Sequence, residues 1–246
     1  NESVYIDKDA LVFGCVYAEN AENIKIFGNG ILDDSGEERF CRQGYEPYTN
    51  GNVKFYDCKN LKIEGVLMRN SAMWCVNFFH CIDVVADNIK VFGQWRYNTD
   101  GIDIVNSQNV IIKNSFVHSF DDTITIKGID RYSETSNVNI TADNCVLLCD
   151  WGRCCEVGIE TECYEYKNIV FRNCDVVKIS AAALDIQNGD CAVIHGVRFE
   201  NINIELQSNA LPEVYQCSDE QVYDAAEIAA RPYLIFADNH KYRDKH

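Results

Sequence analysis

The sequence is poor in proline and has no long apolar run. Three prolines among 246 residues exclude extended polyproline linkers, because such linkers need proline at many neighbouring positions. No apolar run approaches the roughly 18 residues of a membrane-spanning helix, and no basic-then-apolar signal segment opens the chain. We therefore expect one folded domain over residues 1–246, with no membrane partner.

Positive charge is also scarce. Lysine and arginine number 22 against 38 aspartates and glutamates, which gives a formal net charge of -16 at pH 7. Such a surface repels phosphate backbones and anionic membranes, so we expect no nucleic-acid partner. The charge also disfavours a strongly polyanionic substrate unless local cations line its groove, although solubility alone explains the charge equally well.

Cysteine pairs with zinc spacing are missing, although cysteine is abundant. The 13 cysteines are odd in number, and no Cys-x-x-Cys pair occurs. We therefore expect neither a metal site nor a cofactor. Cys145 and Cys174 each follow an asparagine at the same place in a repeat, which favours stacked buried thiols over a disulfide framework.

That repeat organises most of the chain. An asparagine, alternating apolar residues and a closing asparagine or glycine recur at Asn23–Gly28, Asn60–Gly65, Asp83–Asn88, Asn109–Asn114, Asn137–Ile140, Asn168–Asn173 and Gly196–Asn201. The first apolar residues from the second copy onward stand at positions 61, 84, 110, 138, 169 and 197, so the spacings are 23, 26, 28, 31 and 28 residues. Periods of this size indicate a solenoid, and the alternation indicates strands with one buried face.

A second strand is predicted in each repeat. These strands are Val53–Tyr56, Cys75–Phe79, Gly101–Val105, Thr123–Lys127, Glu156–Ile159 and Ala183–Gln187. Short strands that stack on the next coil about 4.8 Å away make an all-β, right-handed parallel β-helix. We expect repeats over residues 4–205, a polar loop at 35–50 and a closing segment at 207–246, with a short helix from Ser218 to about Ala230 and a strand at Tyr233–Phe236.

Acidic residues stand at the entrances of two consecutive second strands. Aligning Ile102 with Ile124 places Asp100 beside Asp122, with Asp121 next to it. Carboxylates this close cannot all ionise cheaply, so at least one pKa should rise, as a general acid requires. The alternatives are that these residues only form turns or that they bind a structural cation.

Asn98–Gly101 (Asn-Thr-Asp-Gly) followed by Asp121-Asp122 resembles the signature of glycoside hydrolase family 28, the polygalacturonases and their relatives, in the pectin-lyase-like β-helix superfamily. The resemblance implies that Asp121 is the general acid and that Asp100 and Asp122 activate the attacking water. It also implies that Asn98 orients a substrate hydroxyl or one of the carboxylates. We accordingly expect a polysaccharide or oligosaccharide substrate, an extracellular or periplasmic location and a monomer.

Two family blocks differ in this sequence. Arg153 stands where a histidine is expected, unless the alignment slips and places Cys155 there. The block that is Arg-Ile-Lys in polygalacturonases reads Asp185-Ile186-Gln187, and Asp185 would repel a sugar carboxylate. We therefore expect a neutral or differently decorated sugar. The residues predicted to contact it here are Arg153, Glu156 on the strand after it, Asp185 and Gln187.

Aromatic side chains flank the acidic strands. Trp95 lies shortly before Asp100, and Trp151 lies shortly before Arg153, so both are predicted to stack on sugar rings, although core packing is an alternative. Lys127 ends the Asp121 strand and is predicted either to pair with Glu160 or to contact substrate.

These features favour an inverting, polygalacturonase-like hydrolase with altered sugar specificity. A neutral-glucan hydrolase related to dextranase, which shares the fold and the acidic theme, is one alternative. A non-catalytic carbohydrate-binding β-helix is another, although such a module has no need for three converging acids. A pectate lyase is disfavoured, because elimination needs a cationic base and calcium.

Overall fold

A computed structural model describes residues 1–36, 51–93, 98–206 and 232–241. In these residues the strands are β1 (Glu2–Ile6), β2 (Leu11–Phe13), β3 (Val16–Glu19), β4 (Glu22–Gly28), β5 (Ile31–Asp33), β6 (Val53–Tyr56), β7 (Lys59–Glu64), β8 (Leu67–Arg69), β9 (Val76–Phe79), β10 (Ile82–Asp87), β11 (Lys90–Gly93), β12 (Ile102–Val105), β13 (Gln108–Lys113), β14 (Phe116–Ser119), β15 (Ile124–Gly128), β16 (Asn137–Asp143), β17 (Val146–Cys149), β18 (Arg153–Thr161), β19 (Glu165–Lys178), β20 (Ala182–Asn188), β21 (Val193–Ile204) and β22 (Tyr233–Asn239). One 3-10 turn, Asp130–Tyr132, follows β15.

The strands form two parallel sheets that run along a solenoid. The first sheet has the order β1-β4-β7-β10-β13-β16-β19-β17-β14-β11-β8-β5-β2, with β21 also paired to β19. The second sheet, called here the site sheet, has the order β22-β20-β18-β15-β12-β9-β6-β3. Each coil therefore contributes one strand to the site sheet and further strands to the first sheet. This arrangement confirms the predicted right-handed parallel β-helix.

The core consists of like residues stacked coil upon coil. One such stack runs through Ile24, Leu61, Val84, Val110, Ile140 and Ile169, all of them buried. Because parallel strands pair in register, every inward position faces the corresponding position of the next coil. Burial of these aliphatic side chains supplies the main favourable free energy of the fold.

Asparagines form a ladder at the corner where the first sheet begins. Asn109, Asn139 and Asn168 have φ values of 56°, 58° and 56°, in the left-handed region that asparagine tolerates better than most residues. The Asn139 amide donates to Asn109 Oδ1 at 3.0 Å, and the Asn168 amide donates to Asn139 Oδ1 at 2.8 Å. The corner asparagines are thus bonded to one another along the stack. In the Asn137–Ile140 copy of the repeat the corner residue is Asn139, and Ile140 rather than the predicted Val138 stacks on Val110.

The described cysteines are free thiols, and nine of these 11 are buried. A hydrogen bond from the Cys145 thiol to Cys174 is the main cause that raises the pKa of Cys145 far above its ordinary value, and burial is the second cause. The predicted stack of buried thiols is therefore confirmed for this pair.

Some predicted segments fall outside the described residues. These are nearly all of the 35–50 loop and the whole of the helix from Ser218 to about Ala230. The predicted strand at Tyr233–Phe236 is confirmed as part of β22, which pairs with β20 at the end of the site sheet. In the described ranges no helix is long and apolar enough to cross a bilayer. The single-domain assignment stays a prediction.

We predict that Asn139→Ala destabilises the protein by about 1–2 kcal/mol more than Asn139→Gly does. Both variants lose the ladder hydrogen bonds, but only alanine must also adopt a left-handed backbone conformation. Urea unfolding of both variants and of the wild type measures the difference. Equal stability of the two variants would show that the corner does not constrain the backbone.

Candidate active site

The acidic residues meet because the site-sheet strands pair in the predicted register. Ile102 lies opposite Ile124, and Ile104 lies opposite Ile126. The Gly101 amide donates to the Asp122 carbonyl at 2.7 Å, so the entrances of β12 and β15 are adjacent. Asp100 and Asp122 consequently stand side by side on neighbouring coils, as the sequence predicted, and Asp121 adjoins them.

Lys127 is the first of two cations among these acids. Its Nζ lies 2.7 Å from Asp100 Oδ2, 3.0 Å from Asp103 Oδ1 and 4.0 Å from Asp122 Oδ2. The Lys127 side chain is only 5% exposed, and its Nζ also lies 3.9 Å from the centre of the Trp74 ring. A buried ammonium is tolerated only with such partners.

Charge interactions keep Lys127 protonated despite its burial. Burial by itself disfavours the ammonium, but Asp100, Asp103 and then Glu160 hold the pKa of Lys127 well above its usual value. The predicted pair with Glu160 stays a prediction. The charge of Glu160 contributes to the raised pKa, and the short contacts of Lys127 are with Asp100 and Asp103. The sequence prediction included neither Asp103 nor this bridge; the strand alternation alone would have placed Asp103 on the same outward face.

Arg153 is the second cation. Its backbone amide donates to Asp122 Oδ1 at 3.0 Å, and its Nη1 lies 3.5 Å from the same oxygen. Its Nε lies 3.6 Å from Glu156 Oε1 and 3.4 Å from Asp185 Oδ2. Arg153 therefore joins three carboxyl groups from three successive coils.

The alternative alignment, which places Cys155 at the site, is wrong. Cys155 lies opposite Ile124 and Leu184 in the sheet and is fully buried in the hydrophobic core. The residue beside the acids is Arg153. Gly152 is required before it, because a Cβ there would come within 2.6 Å of Asp121 Oδ1 and of Asp122 Oδ1.

In the part of the chain that the structure describes, the buried carboxyl groups around Lys127 and Arg153 outnumber these two cations. The acids are Asp100, Asp103, Asp121, Asp122, Glu156 and Asp185, and each is buried. Such an imbalance in a site shielded from water forces some of these groups to stay protonated, because an unpaired buried carboxylate is costly.

The three acids predicted to be catalytic differ in their pKa directions. Burial, then the charges of Asp122 and Asp100, raises the pKa of Asp121 well above its ordinary value. Burial also acts on Asp122, but Arg153, Lys127 and a hydrogen bond with Glu156 together lower its pKa. Burial raises the pKa of Asp100 to about 6, against the attraction of Lys127. Neighbouring carboxyls therefore include one suited to donate a proton and one suited to accept it.

Asp185 and Gln187 already bond to each other. The Gln187 Nε2 donates to Asp185 Oδ2 at 2.7 Å. Burial raises the pKa of Asp185 to about 6, although Gln187 and Arg153 oppose the rise. Both side chains are buried on the same outward face as Glu156, so the structure brings these three predicted residues together around Arg153.

The remaining predicted contacts lie near the strand entrances. Asn98 is half-buried, with φ 54°, two residues before Asp100. Trp151 is half-buried and stacks on Phe120 with ring centres 6.1 Å apart. It therefore packs against Phe120 and is also partly exposed to solvent. Trp95 lies outside the described residues. Among the described residues, no group of three or more metal-ligating side chains is arranged to hold a metal ion.

A family model described as glycosyl hydrolases family 28 matches residues 6–219 of the chain. An exopolygalacturonase of Cochliobolus carbonum is 26% identical over 221 residues, which cover 80% of this chain and 47% of the relative. A polygalacturonase of Malus domestica is 30% identical over 145 residues, which cover 55% of this chain and 30% of the relative. The chain thus spans about half or less of the length of these curated relatives.

Solved structures share the fold. A polygalacturonase from Erwinia carotovora ssp. carotovora superposes with a TM-score of 0.62 at 18% identity, covering 85% of this chain and 69% of the other. Dex49A from Penicillium minioluteum superposes with a TM-score of 0.57 at 13% identity, covering 87% of this chain and 45% of the other. At these identities the likeness establishes the parallel β-helix architecture.

We predict that Lys127→Met destabilises the protein by about 3–5 kcal/mol near neutral pH, because it leaves Asp100 and Asp103 buried without their cation. The acids then bind protons in the folded state at a higher pH than in the unfolded state. The loss should therefore shrink as the pH falls through 6 toward 4, where these carboxyls are protonated.

Urea unfolding at pH 7.5 and pH 4.5 measures this dependence. Lys113→Met is the matched control, since Lys113 is 41% exposed and lies 3.3 Å from Asp87; it should cost less than about 1 kcal/mol. A loss in Lys127→Met that is equal at both pH values would contradict the account of this ion pair.

Proposed function

The chain belongs to family 28 of the glycosyl hydrolases, and we propose that it hydrolyses an O-glycosidic bond in a polysaccharide or oligosaccharide with inversion at the anomeric carbon. The observation that carries this proposal is the meeting of three buried carboxyl groups, Asp100, Asp121 and Asp122, at two adjoining strand entrances. The surroundings raise the pKa of Asp121 and lower that of Asp122. Glycoside hydrolysis by two carboxyls requires this division into an acid and a base.

Asp121 is the general acid in the proposed mechanism. Its protonated carboxyl donates a proton to the glycosidic oxygen as the bond to the anomeric carbon breaks, so the leaving sugar departs as an alcohol. Burial and the neighbouring carboxylates raise the pKa of Asp121 well above its ordinary value, which favours the protonated form that the general acid needs.

Asp122, assisted by Asp100, is the base. Asp122 accepts a proton from the water that attacks the opposite face of the sugar ring, and this direct attack inverts the anomeric configuration. Arg153 and Lys127 stabilise Asp122 in its ionised form. Lys127 also fixes Asp100 through the 2.7 Å contact, so we assign Lys127 to holding the acids rather than to contacting the sugar.

The proposed substrate is a neutral or differently decorated sugar rather than plain polygalacturonate, the substrate that the names of the relatives imply. A sugar carboxylate needs cations, but Asp185 and Gln187 occupy the predicted position and bond to each other. The Arg153 guanidinium already faces Asp122, Glu156 and Asp185, and the net charge of -16 adds a general repulsion.

Contacts to the sugar are proposed for the more accessible residues at the strand entrances. Asn98 would bond a hydroxyl, Arg153 would face the reacting sugar with its exposed part, and Trp151 and Trp95 would stack on sugar rings. Glu156 and Asp185 are buried beside Arg153, and Gln187 is bonded to Asp185; direct contact of these three residues with the sugar stays a prediction. We further propose an extracellular or periplasmic location and action as a monomer.

A neutral-glucan hydrolase of the dextranase type is the alternative within the same reaction class. This alternative is favoured because Asp185 and Gln187 stand at the two positions where polygalacturonases have an arginine and a lysine. A non-catalytic carbohydrate-binding role is disfavoured by the buried acids, since carboxyls confined together destabilise the fold and a binding module has no chemical use for their shifted pKa values.

We predict that Asp121→Asn lowers the hydrolytic rate by about 10²–10⁴-fold, because the amide cannot supply the acid proton. The rate is measured as reducing ends released from a panel of plant and bacterial polysaccharides. Asp175→Asn is the control, since Asp175 is exposed on β19 and merely accepts a bond from Asn203; it should keep the wild-type rate. Equal release by Asp121→Asn and wild type, or no release from any polymer by wild type, would defeat the proposal.

We also predict that polygalacturonate is cleaved with a kcat/KM at least about tenfold below that for the best neutral polymer, because Asp185 repels the sugar carboxylate. A tenfold preference corresponds to about 1.4 kcal/mol. Asp185→Asn removes one negative charge, so the kcat/KM for polygalacturonate should move closer to that for the neutral polymer. Efficient polygalacturonate cleavage by the wild type would show that Asp185 and Gln187 do not face the sugar carboxylate.

A further inference from the structure

Glu156 is fully enclosed, as are the site acids Asp103 and Asp185. It lies opposite Thr125 on one side and Asp185 on the other in the site sheet, and its side chain is 0% exposed. Within the described part of the chain, neither of its carboxyl oxygens accepts a hydrogen bond from a fixed donor. An ionised carboxylate in this position would cost several kcal/mol of lost hydration.

One guanidinium serves three carboxyl groups here. Arg153 Nε lies 3.6 Å from Glu156 Oε1 and 3.4 Å from Asp185 Oδ2, while its Nη1 lies 3.5 Å from Asp122 Oδ1. A single positive charge cannot balance three negative charges at these distances in a buried site. At least one of the three groups is therefore neutral.

The surroundings select Glu156 as a neutral group. Burial, then the charge of Asp122, raises the pKa of Glu156 well above its ordinary value, and Arg153 opposes this only in part. Asp122 behaves in the opposite way: burial raises its pKa, but Arg153, Lys127 and the hydrogen bond with Glu156 together lower it. Burial raises the pKa of Asp185 to about 6, although Glu156 also acts to lower it. A proton on Glu156 also explains why its oxygens lack donors, since a carboxylic acid is itself a donor.

We infer that Glu156 is a positioning residue whose neutral carboxylic acid donates a hydrogen bond to Asp122 and keeps that carboxylate ionised for the attacking water. The inference rests on the proposed function, in which Asp122 is the base. Arg153 is always charged and cannot exchange a proton near neutral pH, whereas Glu156 can lose or gain one.

The charged and titratable groups around this pair come from several strands. Asp122, Arg153 and Asp185 surround Glu156. Asp100, Asp121 and Lys127 also act on Asp122. Loss of the Glu156 donor leaves these charges in place, so the pKa of Asp122 should rise and the acid limb of the pH–activity profile should move to higher pH.

The test compares Glu156→Gln with Glu156→Ala, using the polymer that the wild type hydrolyses best. The glutamine amide can still donate to Asp122, so the acid limb of kcat/KM should stay within about half a pH unit of the wild type. Alanine removes the donor, and the limb should move up by about one to two pH units, as expected for a hydrogen bond to a charged group. Glu200→Gln, exposed on β21 beside Arg198, should leave the profile unchanged.

Infrared spectroscopy of protein labelled with ¹³C-carboxyl glutamate provides a readout that needs no substrate and no alanine variant. The carbonyl band of a protonated glutamic acid should be present at pH 7 in the wild type and absent in Glu156→Gln. Aspartate labelling, with Asp122→Asn to assign the band, follows the titration of Asp122 in wild type and variants. These spectra decide the inference even if no polymer is hydrolysed, in which case the proposed function fails separately.

Three results would overturn the inference. The first is the absence of a protonated glutamate band that depends on Glu156. The second is an equal shift of the acid limb in Glu156→Gln and Glu156→Ala. The third is a titration of Asp122 that is the same in wild type and in Glu156→Ala.

Discussion

The coil-to-coil register of the site sheet is the constraint on which the rest of the structure depends. Because Ile102 stacks on Ile124 and Ile104 on Ile126, each coil must bring its own entrance residues to the same corner as its neighbour. The apolar stack stabilises this register through burial. The acidic residues have no freedom to separate unless the whole sheet slips, and a slip would turn the isoleucines outward.

The register creates an electrostatic problem that two cations solve only in part. Lys127 holds Asp100 and Asp103, and Arg153 holds Asp122, Glu156 and Asp185. Burial, together with the charge that remains unbalanced, raises the pKa of Asp100 and Asp121, while Arg153 and Lys127 lower that of Asp122. Within one buried cluster, two neighbouring residues of the same chemical type thus differ in their preference for a proton: Asp121 favours the protonated form and Asp122 the ionised form.

The sequence predicted the parts of this arrangement that follow from periodicity. The alternating repeat predicted the solenoid and the pairing of Asp100 with Asp122, because these depend only on strand phase. It also predicted the buried stack of Cys145 and Cys174.

Contacts that depend on side-chain reach between coils were less accessible to sequence reasoning. The Lys127 ammonium extends back to Asp100 and Asp103 on the preceding coil, whereas the sequence suggested a partner on the following one. The grouping of Glu156 and Asp185 around Arg153 depends on which neighbours exclude water, and residue order does not encode that. The raised pKa of Asp121 and the lowered pKa of Asp122 likewise depend on burial and on contacts between coils.

The most direct test of direct water attack at this acid cluster is the stereochemistry of hydrolysis, followed by proton NMR of the first products released from an oligosaccharide of known anomeric configuration. The account predicts that the new reducing end appears with the opposite configuration and only later equilibrates by mutarotation. Products that first appear with the configuration retained would mean that a carboxylate attacks the sugar itself, which would contradict the roles assigned to Asp100 and Asp122.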